Sequence, residues 1–301
     1  MDEKNRAEKS TLYVVATPIG NLHDMTFRAV GILESVDLIA AEDTRHTARL
    51  LSFFNITTKL LSCHEHNETM RARQLVERLL SGESVALVSN AGTPSVSDPG
   101  YRIVKQAIAA GIKVVPIPGV SAAITALSAS AMPSDMFCFI GFITKKKSRQ
   151  DAFLNELAER RETLIFYESP RRLVTLLKTV EKHLGDRYVV VARELTKIYE
   201  EFLRGRVSEV LGDLEKRDAI KGEITLLVAG KTDEGEEDPN LLEEEIRQSI
   251  LENSLSPSRL AATLAKRYNL SKNDIYRLIL EVQARYEPDA DDDEKGNSTD
   301  G

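Results

Sequence analysis

Small, polar and turn-forming residues crowd the segment Ser89–Gly100, S-N-A-G-T-P-S-V-S-D-P-G, directly after the apolar run Val85, Ala86, Leu87 and Val88. Gly92, Pro94, Pro99 and Gly100 direct the backbone there, and the scarcity of bulky side chains lets a ligand reach bare N–H and C=O groups. A plain strand-to-helix connection needs only about 2–6 residues, so roughly a dozen without a hydrophobic anchor point to binding. Comparable clusters recur at Thr17–Asn21 (T-P-I-G-N), Glu42–Arg45 (E-D-T-R), His64–Glu68 (H-E-H-N-E), Ile117–Ala122, Tyr167–Pro170 (Y-E-S-P), Ala192–Leu195 (A-R-E-L) and Lys221–Glu223 (K-G-E). All but the last come directly after an apolar run. Open parallel sheets bind ligands at the carboxyl ends of their strands, so one shared cleft would collect these groups.

Several chemistries are disfavoured. No G-x-G-x-x-G comes after the first apolar run, where Pro18 and Gly20 stand instead, and no G-x-x-x-x-G-K-[ST] occurs anywhere, which argues against dinucleotide and Walker-type nucleotide sites. Ser95 and Ser97 lack the G-x-S-x-G context of a serine hydrolase. His64 and His66 would share a face if the third strand ran through them. With no second ligand cluster and no H-E-x-x-H, the expectation is polar loop contacts and no metal. Lys145–Lys147 with Arg149 open a predicted helix as a solvated basic face that would contact phosphates if it lay at a cleft mouth.

The elements that must position these clusters keep a regular rhythm. Residues 11–118 alternate apolar runs (T-L-Y-V-V-A, D-L-I-A-A, K-L-L-S-C, V-A-L-V, K-V-V-P-I) with helix-period segments at Thr26–Ser35, Thr44–Phe54, Thr69–Ser81 and Tyr101–Ala110. Five strands separated by four helices predict an α/β fold with a doubly wound parallel sheet over residues 11–119. A second α/β series over 120–230 predicts a mixed sheet from M-F-C-F-I, T-L-I-F-Y, Y-V-V-V-A and E-I-T-L-L-V-A. Its helices are expected at Val120–Ser130, near Ser148–Arg161, at Arg171–Leu184 and near Val207–Arg217. Residues 1–10 are expected to be disordered and 231–240 to form an acidic linker. A small helical unit with helix-turn-helix character is expected over 241–287, with Ser256–Pro257 and Ser271–Asp274 as helix starts. It either holds nucleic acid or only packs. Residues 288–301 read as an acidic disordered tail.

Across 301 residues the formal net charge is −7, but from Lys231 onward there are 9 Lys and Arg against 18 Asp and Glu, out of 40 and 47 in the whole chain. The body is therefore slightly basic and the acidity terminal, so an acidic total does not exclude an RNA partner. No apolar run approaches the roughly 20 residues of a membrane span. The charged first ten residues lack an apolar stretch, and Cys63 and Cys138 read as small reduced hydrophobes. The expectation is a cytoplasmic protein that does not enter a membrane.

Taken in order, T-P-I-G-N-L-x-D, A-E-D-T-R-H-T, H-E-H-N-E, S-N-A-G-T-P-S-V-S-D-P-G, P-G-V-S-A, Y-E-S-P-R-R and K-G-E-I-T-L resemble one branch of the tetrapyrrole methylase superfamily, over about Leu12 to Gly230. These are class III methyltransferases that use S-adenosylmethionine. The branch methylates the ribose 2′-oxygen of a cytidine in the decoding centre of 16S rRNA in the 30S subunit. T-P-I-G-N and S-N-A-G-T-P stand where tetrapyrrole-modifying members carry a Gly-rich loop and a G-D-P-type loop, which separates this chain from them.

The resemblance implies two α/β domains with the cofactor in the cleft between them, and a homodimer. It makes Pro18, Ser89, Asn90, Ala91, Gly92, Ser121, Ala122, Tyr167, Ala192 and Leu195 candidates for holding S-adenosylmethionine. Transfer to a ribose hydroxyl needs alignment and a base. Asp43 or Glu223 is the implied base, Glu42 and Glu168 are the other cleft carboxylates, and Lys221 would stabilise an emerging alkoxide. For each carboxylate the alternative is a structural ion pair or a helix N-cap. Arg45, Arg49, Arg71, Lys145, Lys146, Lys147 and Arg149 are candidate RNA phosphate contacts. A small-molecule methyltransferase acting on a tetrapyrrole precursor and a noncatalytic ribosome-assembly or RNA-binding module are the competing readings.

Overall fold

The computed structural model describes residues 6–232, 239–251, 255–268 and 270–286. Its first sheet has the order β3-β2-β4-β1-β5, with every pairing parallel. The strands are β1 (Thr11–Val15), β2 (Leu38–Ala41), β3 (Leu60–Ser62), β4 (Val85–Val88) and β5 (Lys113–Ile117), and between them run α1 (Phe27–Ser35), α2 (Thr44–Phe53), α3 (Glu68–Leu80) and α4 (Tyr101–Ala109). Central β4 is buried at all four positions, as an unbroken apolar run must be when helices cover both faces. Alternate residues divide between those faces. Leu12, Leu38, Val85 and Leu87 pack with α3 and α4, whereas Tyr13, Val15, Ile39 and Ala86 pack with α1 and α2. This is the doubly wound parallel sheet expected from the sequence.

The winding fixes where a crevice opens. Strands β1 and β4 are neighbours, yet β1 leads into α1 on one face and β4 into α4 on the other, so the loops beyond their carboxyl ends diverge. An isolated antiparallel bridge ties the roots of those loops together: Thr17 N–H donates to the Gly92 carbonyl and Gly92 N–H to the Thr17 carbonyl, each at 2.9 Å. Gly92 adopts φ +74°, a left-handed conformation that favours glycine.

The second sheet is mixed, in the order β6-β7-β10-β8-β9. It comprises β6 (Phe137–Phe142), β7 (Thr163–Glu168), β8 (Tyr188–Arg193), β9 (Glu201–Arg206) and β10 (Ile224–Val228). β6 and β7 are parallel, and β10 runs antiparallel to both β7 and β8. One face is covered by α6 (Lys147–Leu157), α7 (Pro170–Leu184) and α8 (Val207–Glu215), with Leu154, Leu173, Leu177 and Val210 packed on Leu164, Phe166, Val191 and Leu226. The opposite face, through Ile165, Val190, Ala192 and Leu227, meets α5 (Ala122–Ser128) and Ile19 from the loop after β1. Both sheets therefore border one cleft inside a compact unit spanning Met1–Ala229.

Strand β9 departs from the sequence expectation. E-F-L-R-G-R shows no clean alternation, and as an edge strand paired only with β8 it tolerates charge. Of the segment expected to be disordered, residues 1–5 lie outside the described residues, while Ala7 N–H donates to Ser35 Oγ at 2.9 Å and Lys113 Nζ meets Glu8 Oε2 at 2.7 Å, which ties Ala7 and Glu8 to α1 and β5. Cys63 and Cys138 are free thiols, and burial pushes the Cys63 thiol up to about 11.

The second compact unit, Gly230–Gly301, contains α9 (Pro239–Leu251), α10 (Pro257–Arg267) and α11 (Lys272–Tyr286) around Leu242, Ile246, Leu260, Leu264, Tyr268, Ile275, Ile279 and Val282. Ser256 occupies the N-cap of α10 with Pro257 in the first turn, although its side chain makes no capping bond. Of the expected linker, residues 233–238 lie outside the described residues and Pro239 already opens α9; the expected tail, 288–301, lies outside them altogether. No helix among the described residues is long and apolar enough to cross a membrane.

Candidate active site

Two adjoining cavities occupy the cleft. The first, about 410 Å³, falls within the roughly 300–1,000 Å³ usual for small-molecule sites. Its walls come from the carboxyl ends of β2 (Glu42), β4 (Asn90, Ala91, Gly92), β6 (Phe142), β7 (Tyr167, Glu168) and β8 (Leu195), from Ser121 and Ala122 at the start of α5, and from the amino end of β10 (Glu223, Ile224, Thr225). The second, about 340 Å³, is lined by Pro18, His46, Arg49, Ser89 and Lys197 and shares Ile19, Asn90, Ala91 and Glu223 with the first.

Local bonding shapes the first cavity. Glu42 Oε2 accepts from Asn90 N–H at 3.1 Å while Asn90 Oδ1 accepts from Asp43 N–H at 3.2 Å, which clamps the ends of β2 and β4 together. Thr17 Oγ1 donates to the Ser89 carbonyl at 3.2 Å. Tyr167 Oη accepts from Ala123 N–H at 3.2 Å, fixing the first turn of α5 to the second sheet, and burial raises the phenol above its ordinary value. Ser95 and Ser97 hold φ +68° and +62°, left-handed values costly for residues with a Cβ. Gly141 leaves room for that loop, since a Cβ there would stand 2.6 Å from Ser97 Oγ. Buried Glu68 accepts from Gly100 N–H and Arg102 N–H, each at 3.0 Å, and anchors the loop's far end.

Asp98, a residue that sequence reasoning passed over, projects from this strained loop into the first cavity. Burial and the nearby Glu42 carboxylate push its carboxyl up to about 6, against a smaller opposing effect of a hydrogen bond from Ser89. Glu42 and Asp98 together make this cavity an environment for a cation.

The candidate carboxylates differ in what they are free to do. Asp43 does not line either cavity; it caps α2, accepting from Arg45 N–H at 2.9 Å and pairing with the Arg45 guanidinium, whose bonds lower its carboxyl. Glu168 is fully buried, bonded by Ser169 N–H at 2.7 Å and facing Arg172 Nη2 at 3.1 Å. Both take the structural roles of N-cap and ion pair. Glu223 keeps 75 % of its side chain exposed, borders both cavities and meets Lys197 Nζ at 2.9 Å. Lys221, two residues earlier, lines neither cavity; it borders two other pockets, and its carbonyl accepts from Arg193 at 3.2 Å.

Among the other candidates, Ala192 is buried beneath the cleft in the second sheet and lines neither cavity. Arg49 borders the second cavity. The Arg45 side chain is 89 % exposed. Arg71 lies in the first turn of α3 with Nη1 on Gln74 Oε1 at 2.6 Å. Lys145, Lys146, Lys147 and Arg149 are exposed around the start of α6, a few residues beyond cavity-lining Phe142. His64 and His66 make an edge-to-face ring contact, with His64 Nε2 3.2 Å from Asn67 Nδ2.

Comparison with known proteins agrees with this architecture. The family described as Tetrapyrrole (Corrin/Porphyrin) Methylases matches residues 11–211. A protein of Vibrio cholerae serotype O1 named Ribosomal RNA small subunit methyltransferase I is 50% identical over 274 residues, covering 90% of this chain and 94% of that one. A protein of the same name from Halalkalibacterium halodurans is 51% identical over 227 residues, covering 75% and 78%. Among solved structures, a uroporphyrin-III-C-methyltransferase from Thermus thermophilus superimposes with TM-score 0.54 at 20% identity over 73% of this chain and 94% of that one. A diphthine synthase does so with TM-score 0.56 at 16% identity, over 74% and 90%. At such identities the two structures speak to the fold alone.

Proposed function

Since the chain belongs to the tetrapyrrole (corrin/porphyrin) methylase family, we propose that it transfers a methyl group from S-adenosylmethionine to RNA of the small ribosomal subunit, at the ribose 2′-oxygen of a cytidine in the decoding centre. The observation that carries this reading is the division of charge between the two cavities. Glu42 and Asp98 line the first, with no Lys or Arg among its described lining residues, whereas the second is lined by Arg49 and by Lys197, which pairs with Glu223 at the shared wall. A cationic cofactor suits the one and an anionic nucleotide the other.

The residues of the first cavity fit the cofactor. Apolar Ile19, Ala91, Val96 and Leu195 would enclose the adenosine, and the backbone of Asn90–Gly92, with Gly92 at φ +74°, offers polar groups at close range. Glu42 and Asp98 would balance its positive charge. When bound, S-adenosylmethionine supplies an electrophilic methyl on a sulfonium. The chain's own part is to hold the ribose in line and to receive the hydroxyl proton, for which Glu223 at the shared wall is the accessible carboxylate. Arg49 and the exposed Lys145–Arg149 segment would contact flanking phosphates. A homodimer, as the resemblance implies, and a cytoplasmic location, as the sequence leads one to expect, belong to the same proposal.

The test is transfer of a labelled methyl from S-adenosylmethionine to 30S subunits lacking the modification, with subsequent nuclease digestion. Label on a cytidine ribose of the decoding centre is the expected result. Cofactor binding without label on ribosomal RNA would transfer the activity to a small-molecule acceptor.

A further inference from the structure

Lys197 lies in the connection between β8 and β9, outside every motif in the sequence, yet its ammonium is among the most closely fitted cations of the cleft. Nζ meets Glu194 Oε1 at 2.8 Å and Glu223 Oε2 at 2.9 Å, and the side chain is 29 % exposed. Burial disfavours its charge, but the bonds from Glu194 and Glu223 outweigh that and raise the ammonium above its ordinary value. A lysine carries three N–H donors. Two are committed here, and the residue borders the second cavity next to Glu223.

The surroundings are shaped around this group from both sheets. A Cβ on Gly20 would fall 2.5 Å from Lys197 Cγ, and one on Gly222 would fall 2.3 Å from Glu194 Cγ, so two glycines make room for the pair. Glu194 and Thr196 hold φ +52° and +67°, left-handed conformations that are strained in a residue with a Cβ. Thr196 Oγ1 accepts from Asn21 N–H at 3.1 Å, and Glu194 Oε1 also accepts from Glu223 N–H at 3.0 Å. Strain, close approach and fixed bonds converge on the placement of one ammonium against one carboxylate.

From this geometry we propose that Lys197 is a catalytic residue whose ammonium donates to the acceptor hydroxyl's oxygen while Glu223 takes its proton. The proposal rests on the ribose-methylation reading above. A ribose hydroxyl is a far weaker acid than a carboxylic acid, so Glu223 can accept its proton only as the oxygen's charge is stabilised and used. In the balanced step the O–H bond breaks with its proton passing to Glu223 and the oxygen's electron pair forms the new O–CH3 bond. The carbon–sulfur pair remains on sulfur, converting sulfonium to neutral thioether; Glu223 then returns the proton to water. As Glu223 becomes neutral its hold on Lys197 weakens, and the developing oxyanion replaces it as the ammonium's partner. This is the alkoxide-stabilising role that the sequence suggested for Lys221, which lines neither cavity.

The test uses the full chain and 30S subunits lacking the modification, with Lys197→Met and Lys197→Arg measured beside wild type. Three readouts are taken: kcat and KM for methyl transfer, binding of S-adenosylhomocysteine by calorimetry, and the Tm. Lys197→Met is expected to lower kcat about 100-fold or more, the scale of one lost oxyanion donor. Its S-adenosylhomocysteine affinity should stay within about threefold, and Lys197→Arg should recover at least about a tenth of the wild-type rate. Activity of Lys197→Met within about threefold of an active wild type overturns the role of Lys197 alone. Loss of activity in step with loss of S-adenosylhomocysteine binding, in both variants, overturns it too and makes the residue a structural tie. A wild type that binds S-adenosylhomocysteine but methylates no ribosomal RNA overturns the parent reading, and with it this one.

Discussion

The two sheets furnish the cleft by different rules. In the first, every strand runs the same way, so the cleft receives residues beyond carboxyl ends, Pro18 after β1, Glu42 after β2, Asn90 and Asp98 after β4, while His64–Glu68 after β3 line neither cavity. In the second, β10 runs against β7 and β8, so the cleft receives the carboxyl ends of β7 and β8 but the amino end of β10, where Glu223 stands. The consequence is chemical as well as geometric. Divergent loops of the parallel sheet offer backbone groups and a cavity floor, whereas the antiparallel ladder sets Glu194 against Glu223, with Glu194 N–H on the Glu223 carbonyl at 3.0 Å, and draws Lys197 between them. Both sheets thus enclose the first cavity, while Glu223 and Lys197, to which the proposal assigns proton handling, come from the second alone.

That division is broken or sharpened by substituting one carboxylate at a time. The largest effect is expected from Glu223→Gln, which keeps the shape but not the base: kcat for methyl transfer falls by about 10²–10⁴-fold with little change in KM. A loss below tenfold would place the proton acceptor elsewhere.

An intermediate effect is expected from Asp98→Asn in the first sheet's loop. The folded-state carboxyl titrates near 6, above the 3.8 taken as its ordinary value, so the native state binds this proton more tightly than the unfolded chain does. Stability is therefore favoured below about pH 4 and lost as pH rises towards 6 and beyond. The Asn variant should be more stable than wild type at pH 7.5, on the order of 1 kcal/mol after allowing for partial exposure, and indistinguishable near pH 4. Denaturant unfolding at the two pH values decides the matter, and a pH-independent difference would mean that the carboxyl is not strained. The same variant should bind the cationic cofactor several-fold more weakly at pH 7.5 by calorimetry.

The smallest effect is expected from Asp43→Asn. Asparagine is as good an N-cap as aspartate, and the Arg45 partner is too exposed for the pair to matter. Rate and Tm should stay close to wild type. A hundredfold loss of rate would return Asp43 to the role of base and dissolve the contrast between the sheets.

The parallel sheet and most of the cleft wall are legible in the sequence because that architecture repeats one rule, an apolar run and then a polar turn. The mixed sheet is less so. E-F-L-R-G-R hides β9 because an edge strand needs no apolar alternation. Lys197 is invisible in the sequence because its partners, Glu194 and Glu223, meet only after β8 and β10 pair. Lys221 and Glu223 look equivalent in K-G-E, but Gly222 at φ +94° turns the chain so that only Glu223 lines the cleft. Asp98 is legible as part of a turn-rich loop, not as a strained acid, because its environment is made by Glu42 and Ser89 from other segments.

The position of β10 also bears on when the molecule becomes competent. It is the last strand among the described residues, yet it sits in the middle of its sheet between β7 and β8. During synthesis the first sheet can close once Ile117 has emerged, whereas the second stays split, with β6–β7 and β8–β9 unjoined, until the residues up to Val228 arrive. Glu223 is carried in by that same strand. A nascent or truncated chain would thus lack the wall formed by Glu223, Ile224 and Thr225, so on the proposed function closure of the second sheet and onset of catalysis would be the same event.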